Sequence, residues 1–139
     1  MPDCVKSIAC AFAVLILMGF MPADPVAAGE AEMLNGDAFM AKIGGNTLVE
    51  ENDSGVWHQV FYGADGTMKR YSEKGDWAGF NEGAWEADGK TICFQWSSWR
   101  DGERYCRTFS SKDGKILSYD DSGDLTGTSE LEKGNSRGL

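Results

Sequence analysis

A chain of 139 residues is expected to hold one domain around one core. Its 22 acidic side chains against 13 basic ones give a net charge of −9, which disfavours nucleic acid and anionic lipid and favours a basic protein wherever the partner is a macromolecule. A single histidine, His58, leaves no second imidazole for a metal site or a catalytic relay, so neither metal nor cofactor is expected.

Residues 1–28 read as a secretory signal: a short n-region carrying Lys6, an unbroken apolar run over 8–20, then MPADPVAA. Val26 and Ala28 suit the −3 and −1 positions for cleavage before Gly29. The run is too short to cross a bilayer comfortably, so no stable membrane insertion is expected after cleavage. The expected location is the periplasm or the exterior. Cleavage removes Cys4 and Cys10 and leaves Cys93 and Cys106, which an oxidising compartment would join.

Over 29–45 the pattern is helical. Leu34, Ala38 and Lys42 share a stripe that Met33, Phe39 and Ile43 extend, with Asn35 or Asp37 as N-cap and Gly44 and Gly45 as the stop. So short a helix must dock its apolar side, here as a plug over an open end of the fold.

From Asn46 onward the periodicity is that of strands. Asp-Gly steps at 65–66, 88–89, 101–102 and 113–114 recur at intervals of about 12 residues or twice that, the rhythm of an antiparallel meander. The turn missing from the first, longer interval falls at 74–76 or within 79–83. Expected strands are 46–51, 56–62, 67–73, 82–87, 90–97, 103–110, 115–119 and 125–131. Eight short strands in sequence order remove their edges by closing, so the fold class is all-β. It is expected to be a small up-and-down barrel over 46–133, with a short N-terminal helix and a flexible tail over 134–139.

The centre of this pattern is EGAWEADGKTICFQWSSWRDGERYCRTFS, residues 82–110. A two-residue turn on Asp88 and Gly89 sets Trp85 opposite Ile92 and gathers Ile92, Phe94 and Trp96 on the face of Trp85. A Cys93–Cys106 bond fits the next hairpin if its loop centres on Trp99 and Arg100, with four or five residues and Gly102 as a bulge. The strand 56–62 carries Trp57 and Phe61 on one face and Val56, Val60 and Tyr62 on the other, and its alternation does not say which face is inner.

Several features suggest chemistry and are read structurally. His58 is taken as a structural or surface residue, and the turn aspartates as backbone hydrogen-bonding groups. The acidic stretches ENDSG (51–55) and DDSGD (120–124) lack the ligand spacing of a calcium loop. The chain is not expected to be an enzyme.

The aromatic set is the stronger signal. Trp57, Phe61, Trp85, Phe94, Trp96 and Tyr105, with Arg107 opposite Ile92 on the apolar face, are the expected lining of a ligand site. Arg107 there needs an anionic partner, either Glu103 or a ligand group. Two functions follow as expectations. The first is an exported module binding a small hydrophobic or amphipathic molecule. The alternative is an acidic periplasmic inhibitor or interaction protein that engages a basic enzyme through the 98–103 hairpin tip, with Trp99 and Arg100 as its anchors.

GNTL (45–48), YGADGT (62–67), GAWEADGKTICFQW (83–96), YC (105–106), the following Asp-Gly turn and the late GN (134–135) resemble a family of short exported proteobacterial proteins known as domain of unknown function 995. The resemblance implies a small extracytoplasmic β domain of lipocalin or streptavidin type. It brings no activity and no catalytic residue. The GFNEG stretch before Trp85 is an insertion relative to that pattern.

Overall fold

The structure, a computed structural model, describes residues 29–51, 57–73 and 78–139. The leader 1–28, most of ENDSG, Val56 and the turn expected at 74–76 lie outside the described residues. No helix among the described residues is long and apolar enough to cross a membrane.

The fold is all-β: a closed barrel of eight antiparallel strands, one additional short strand and one short helix. The elements are β1 (Glu32–Met33), α1 (Gly36–Ile43), β2 (Asn46–Glu51), β3 (Trp57–Tyr62), β4 (Thr67–Ser72), β5 (Gly79–Asp88), β6 (Thr91–Trp96), β7 (Tyr105–Lys112), β8 (Lys115–Tyr119) and β9 (Leu125–Glu132). Strands β2 to β9 follow one another around the wall, and β9 pairs with β2 to close it. Alternation decides which side chains enter. In β4 the buried Met68, Arg70 and Ser72 point inward while Thr67 and Lys69 lie exposed between them.

Strand β1 stands where a helix start was expected. Met33 pairs with Ser110 of β7 and is 56% exposed, so it does not extend the helical stripe. The reason is local. β6 pairs with β7 only through Ile92, Cys93 and Phe94, and the free upper edge of β7 takes β1 instead, with Leu34 N–H donating to the Phe109 carbonyl at 2.9 Å. The chain then enters α1, where Asn35 caps the Ala38 N–H at 3.1 Å. Phe39 and Ile43 are wholly buried, and α1 plugs this end of the barrel. The ring of Phe39 meets Tyr62, Trp85 and Phe109 at centroid distances of 5.5, 5.3 and 4.9 Å.

One hairpin departs from the expected register and a second from the expected loop length. Asp88 pairs with Thr91, so the loop is Gly89 and Lys90 and Trp85 sits opposite Phe94. Gly89 supplies the positive φ (61°) that a turn of this kind needs at its first position. Asp88 thereby stays in the strand, where its carboxylate meets Arg104 at 3.4 Å. The pairing slides by an even number of residues, so every side chain keeps its expected face.

Cys93 and Cys106 are directly paired and bonded, with Cα atoms 4.0 Å apart. The connection above them is longer than four or five residues, because the last pair of the ladder is Phe94 with Tyr105. Residues 99–102 form a tight turn in which Arg100, Asp101 and Gly102 all hold positive φ. The Gln95 side chain donates to the Gly102 carbonyl at 2.8 Å.

The GFNEG stretch is not a loop but the first half of β5, so the missing turn is not within 79–83. The tail 134–139, expected to be flexible, makes hydrogen bonds to the barrel through Gly134. Gly134 N–H donates to Asn46 Oδ1 at 2.9 Å, Thr47 Oγ1 donates to the Gly134 carbonyl at 2.7 Å, and Arg137 pairs with Glu132.

Candidate functional site at the open end of the barrel

The helix closes one end of the barrel. The opposite end is where β2 leads to β3, β4 to β5, β6 to β7 and β8 to β9. Inward positions near that end change character. Apolar Leu48, Val60, Met68 and Ile116 give way to Glu50, His58, Arg70 and Ser118 one strand step away. Together with Phe94, Trp96, Trp99, Tyr105 and Arg107 they line a partly enclosed cavity of about 90 Å³.

A chain of rings connects the plug to this cavity. Phe109 meets Phe94 at 6.0 Å, Phe94 meets Tyr105 at 5.4 Å, and Tyr105 meets Trp99 at 5.5 Å. Trp96 donates its indole N–H to the Tyr105 hydroxyl at 2.9 Å, which fixes two of the cavity's walls relative to each other. Most of the interior is therefore filled with aromatic side chains. What remains is well short of the roughly 300–1,000 Å³ of pockets that enclose drug-sized ligands.

Charge is concentrated in the same place. The Arg70 guanidinium lies over the rings of Trp99 and Trp96, 4.8 and 5.5 Å from their centroids, an arrangement favourable to a cation. Arg107 sits over Tyr105 at 5.5 Å, and its Nη1 is buried with no hydrogen-bond partner among the described residues. Glu50 brings the acid. Its Oε2 accepts from the Ser129 hydroxyl at 3.2 Å, and Gly127 lies so close beneath that an added Cβ would meet this oxygen at 2.7 Å. Burial pushes the Glu50 carboxyl above its ordinary range, against the Ser129 hydrogen bond and the charges of Arg107 and Arg70. His58 is held below its usual value by burial and by Arg70, so it is neutral at neutral pH. Burial also raises Tyr105, although the Trp96 hydrogen bond and the two nearby arginines oppose the rise.

The expected lining is partly assembled. Phe94, Trp96, Tyr105 and Arg107 come together as read from the alternation. Trp85 does not join them. It is buried under α1, with its indole N–H donating to the Gly63 carbonyl at 3.0 Å. Trp57 and Phe61 face outward, because Val60 and Tyr62 take the inner face of β3, and Trp57 is 43% exposed.

The hairpin tip also changes. Trp99 is half-buried against Trp96 and Tyr105 and lines the cavity, whereas Arg100 is exposed, 4.7 Å over the Tyr105 ring. Glu103, one of the two expected partners of Arg107 beside a ligand group, is exposed, and the protein acid acting on Arg107 is Glu50. Glu50, His58 and Arg70 were missed as site residues. The Leu48–Glu50 and Met68–Arg70–Ser72 alternations carry the signal for two of them.

The DDSGD stretch is a closed turn. Asp120 Oδ1 accepts from the backbone N–H of Ser122 and Asp124 at 3.0 and 2.9 Å, the role expected of a turn aspartate.

The chain matches no family model, no curated protein and no solved structure.

Proposed function

We propose that this protein is an exported, non-catalytic binding module whose barrel takes a small amphipathic molecule at the end opposite the helix. The single observation that carries the reading is the cavity itself: a partly enclosed space lined by aromatic rings together with Arg70, Arg107 and Glu50. Apolar walls with a few convergent polar groups are the usual composition of a small-molecule site. The volume limits the occupant to a small molecule or to the head of a longer one. Export to the periplasm or beyond rests on the leader at 1–28, and the resemblance to domain of unknown function 995 belongs to the same reading.

The rival reading, an inhibitor acting through 98–103, needs an exposed aromatic anchor, and Trp99 is half-buried against the cavity wall.

The binding reading is tested by NMR titration of the exported chain with butanol, butyramide and butyrate, following the Trp96 indole N–H. At least one probe is expected to give saturable shifts that disappear in Trp96→Ala. Absence of saturable shifts from all three ends the reading. Mass analysis of the exported product is expected to show a chain beginning at Gly29.

A further inference from the structure

We infer that the occupant is a monoanion, a short carboxylic acid in its ionised form seated on Arg107, with Glu50 as a competing charge within the same cavity. The inference rests on the binding reading above and names the ligand class for that site.

The charge count comes first. The groups that can carry charge around the cavity are Glu50 on β2, His58 and Tyr62 on β3, Arg70 on β4, and Tyr105 and Arg107 on β7. At neutral pH the tyrosines and His58 are uncharged, so two guanidiniums face at most one carboxylate. The excess is at least one positive charge in a partly enclosed space, where electrostatic attraction is stronger than in water. A monoanion offsets it.

Hydrogen-bonding geometry points to the same group. Arg107 buries an N–H donor at Nη1 that meets no acceptor among the described residues. A buried unpaired donor on a charged group is among the more costly arrangements in a protein interior. The Arg107 side chain lines the cavity, and a carboxylate drawn to it there matches a guanidinium in planar geometry and charge. Ser129 already engages Glu50 Oε2, which holds that carboxylate on the β9 wall. The rings of Phe94, Trp96 and Tyr105 then offer an apolar surface to the first carbons of the acid.

Glu50 makes the site responsive to pH. While ionised it shares the field of Arg107 and Arg70 with any incoming anion. When Glu50 takes a proton, the excess positive charge rises by one and the anion binds more tightly. His58 adds to this in acid by gaining a charge of its own.

The test compares probes of nearly equal size in the full exported chain. Butyrate is expected to bind about tenfold or more tightly than butyramide at pH 7. Arg107→Gln is expected to erase that preference while butyramide binding persists, and Glu50→Gln to tighten butyrate several-fold. 1-Propanesulfonate stays ionised throughout, so its affinity reports the protein alone. It should rise with acidification in the wild type, as Glu50 takes its proton, and rise less in Glu50→Gln. Should Arg107→Gln fail to fold, Arg107→Lys carries the same test, with butyrate weakened and butyramide unchanged.

Equal binding of butyramide and butyrate, a preference that survives in Arg107→Gln, or butyrate binding unweakened in Arg107→Lys overturns the anion assignment and leaves the cavity reading standing. Saturable binding by none of the probes overturns the cavity reading beneath it.

Discussion

The indole N–H of Trp96 donates to the hydroxyl of Tyr105 at 2.9 Å, joining β6 to β7 just beyond the point where their ladder ends at Phe94 and Tyr105. This side-chain bond holds the mouth of the barrel where backbone pairing has stopped. Tyr105→Phe keeps the ring contacts with Phe94 and Trp99 but leaves the Trp96 donor without its acceptor. The expected cost is roughly 1–3 kcal/mol, seen as a lower urea midpoint at unchanged slope. A midpoint within error of wild type would mean the indole finds another acceptor.

The plug can be tested separately from the mouth. Phe39 is fully buried and touches three other rings, so its removal leaves a void between α1 and the barrel floor. Phe39→Ala is expected to destabilise by about 3–5 kcal/mol. Its effect on ligand binding should be slight as long as the barrel remains folded, because the cavity lies at the other end. Loss of binding in a folded Phe39→Ala chain would show that the two ends are coupled.

Cys93 and Cys106 restrain the longest connection among the described turns, the one spanning 97–104. Closing a loop of that size should stabilise by roughly 2.5–3 kcal/mol. The double variant Cys93→Ser, Cys106→Ser is expected to lose about that much, and reduction of the wild type to match it. A double variant as stable as the oxidised chain would assign the restraint to the β6–β7 ladder alone.

The barrel was legible because its signals are local and periodic. Asp-Gly steps mark three of the turns, and alternation in ICFQW names the inner face of β6 correctly even though the Asp88 hairpin is displaced. That displacement is harmless because an even slide preserves faces. The failures share a cause. Trp57 and Phe61 look like lining because β3 is apolar on both faces, and only the closure of the barrel, β9 on β2, selects Val60 and Tyr62. Trp99 looks like an exposed tip because hairpin loops usually are. Three successive positive-φ residues at 100–102 accompany a turn that leaves the ring against Tyr105. Glu50 and Arg70 were passed over because a charged side chain is ordinarily assigned to solvent, although their parity with Leu48 and Met68 places both inside.

The sharpest consequence of that placement is a pH dependence with two opposed parts. Burial raises the Glu50 carboxyl above its ordinary value of 4.5, so the folded chain holds this proton more tightly than the unfolded one. Its contribution to stability is fully present below 4.5 and is lost as pH rises through the folded-state value. His58 is lowered from 6.5 by burial and by Arg70. Its contribution is present above 6.5 and is lost as pH falls through the folded-state value. Glu50→Gln should therefore gain on wild type as pH increases from 4.5 and then hold a constant advantage. His58→Gln should be relatively most favourable at acid pH and lose ground as pH increases toward 6.5. Urea midpoints across this range for the two variants and the wild type separate the contributions. A Glu50→Gln advantage that shrinks with rising pH would show that the arginines favour the carboxylate by more than burial opposes it.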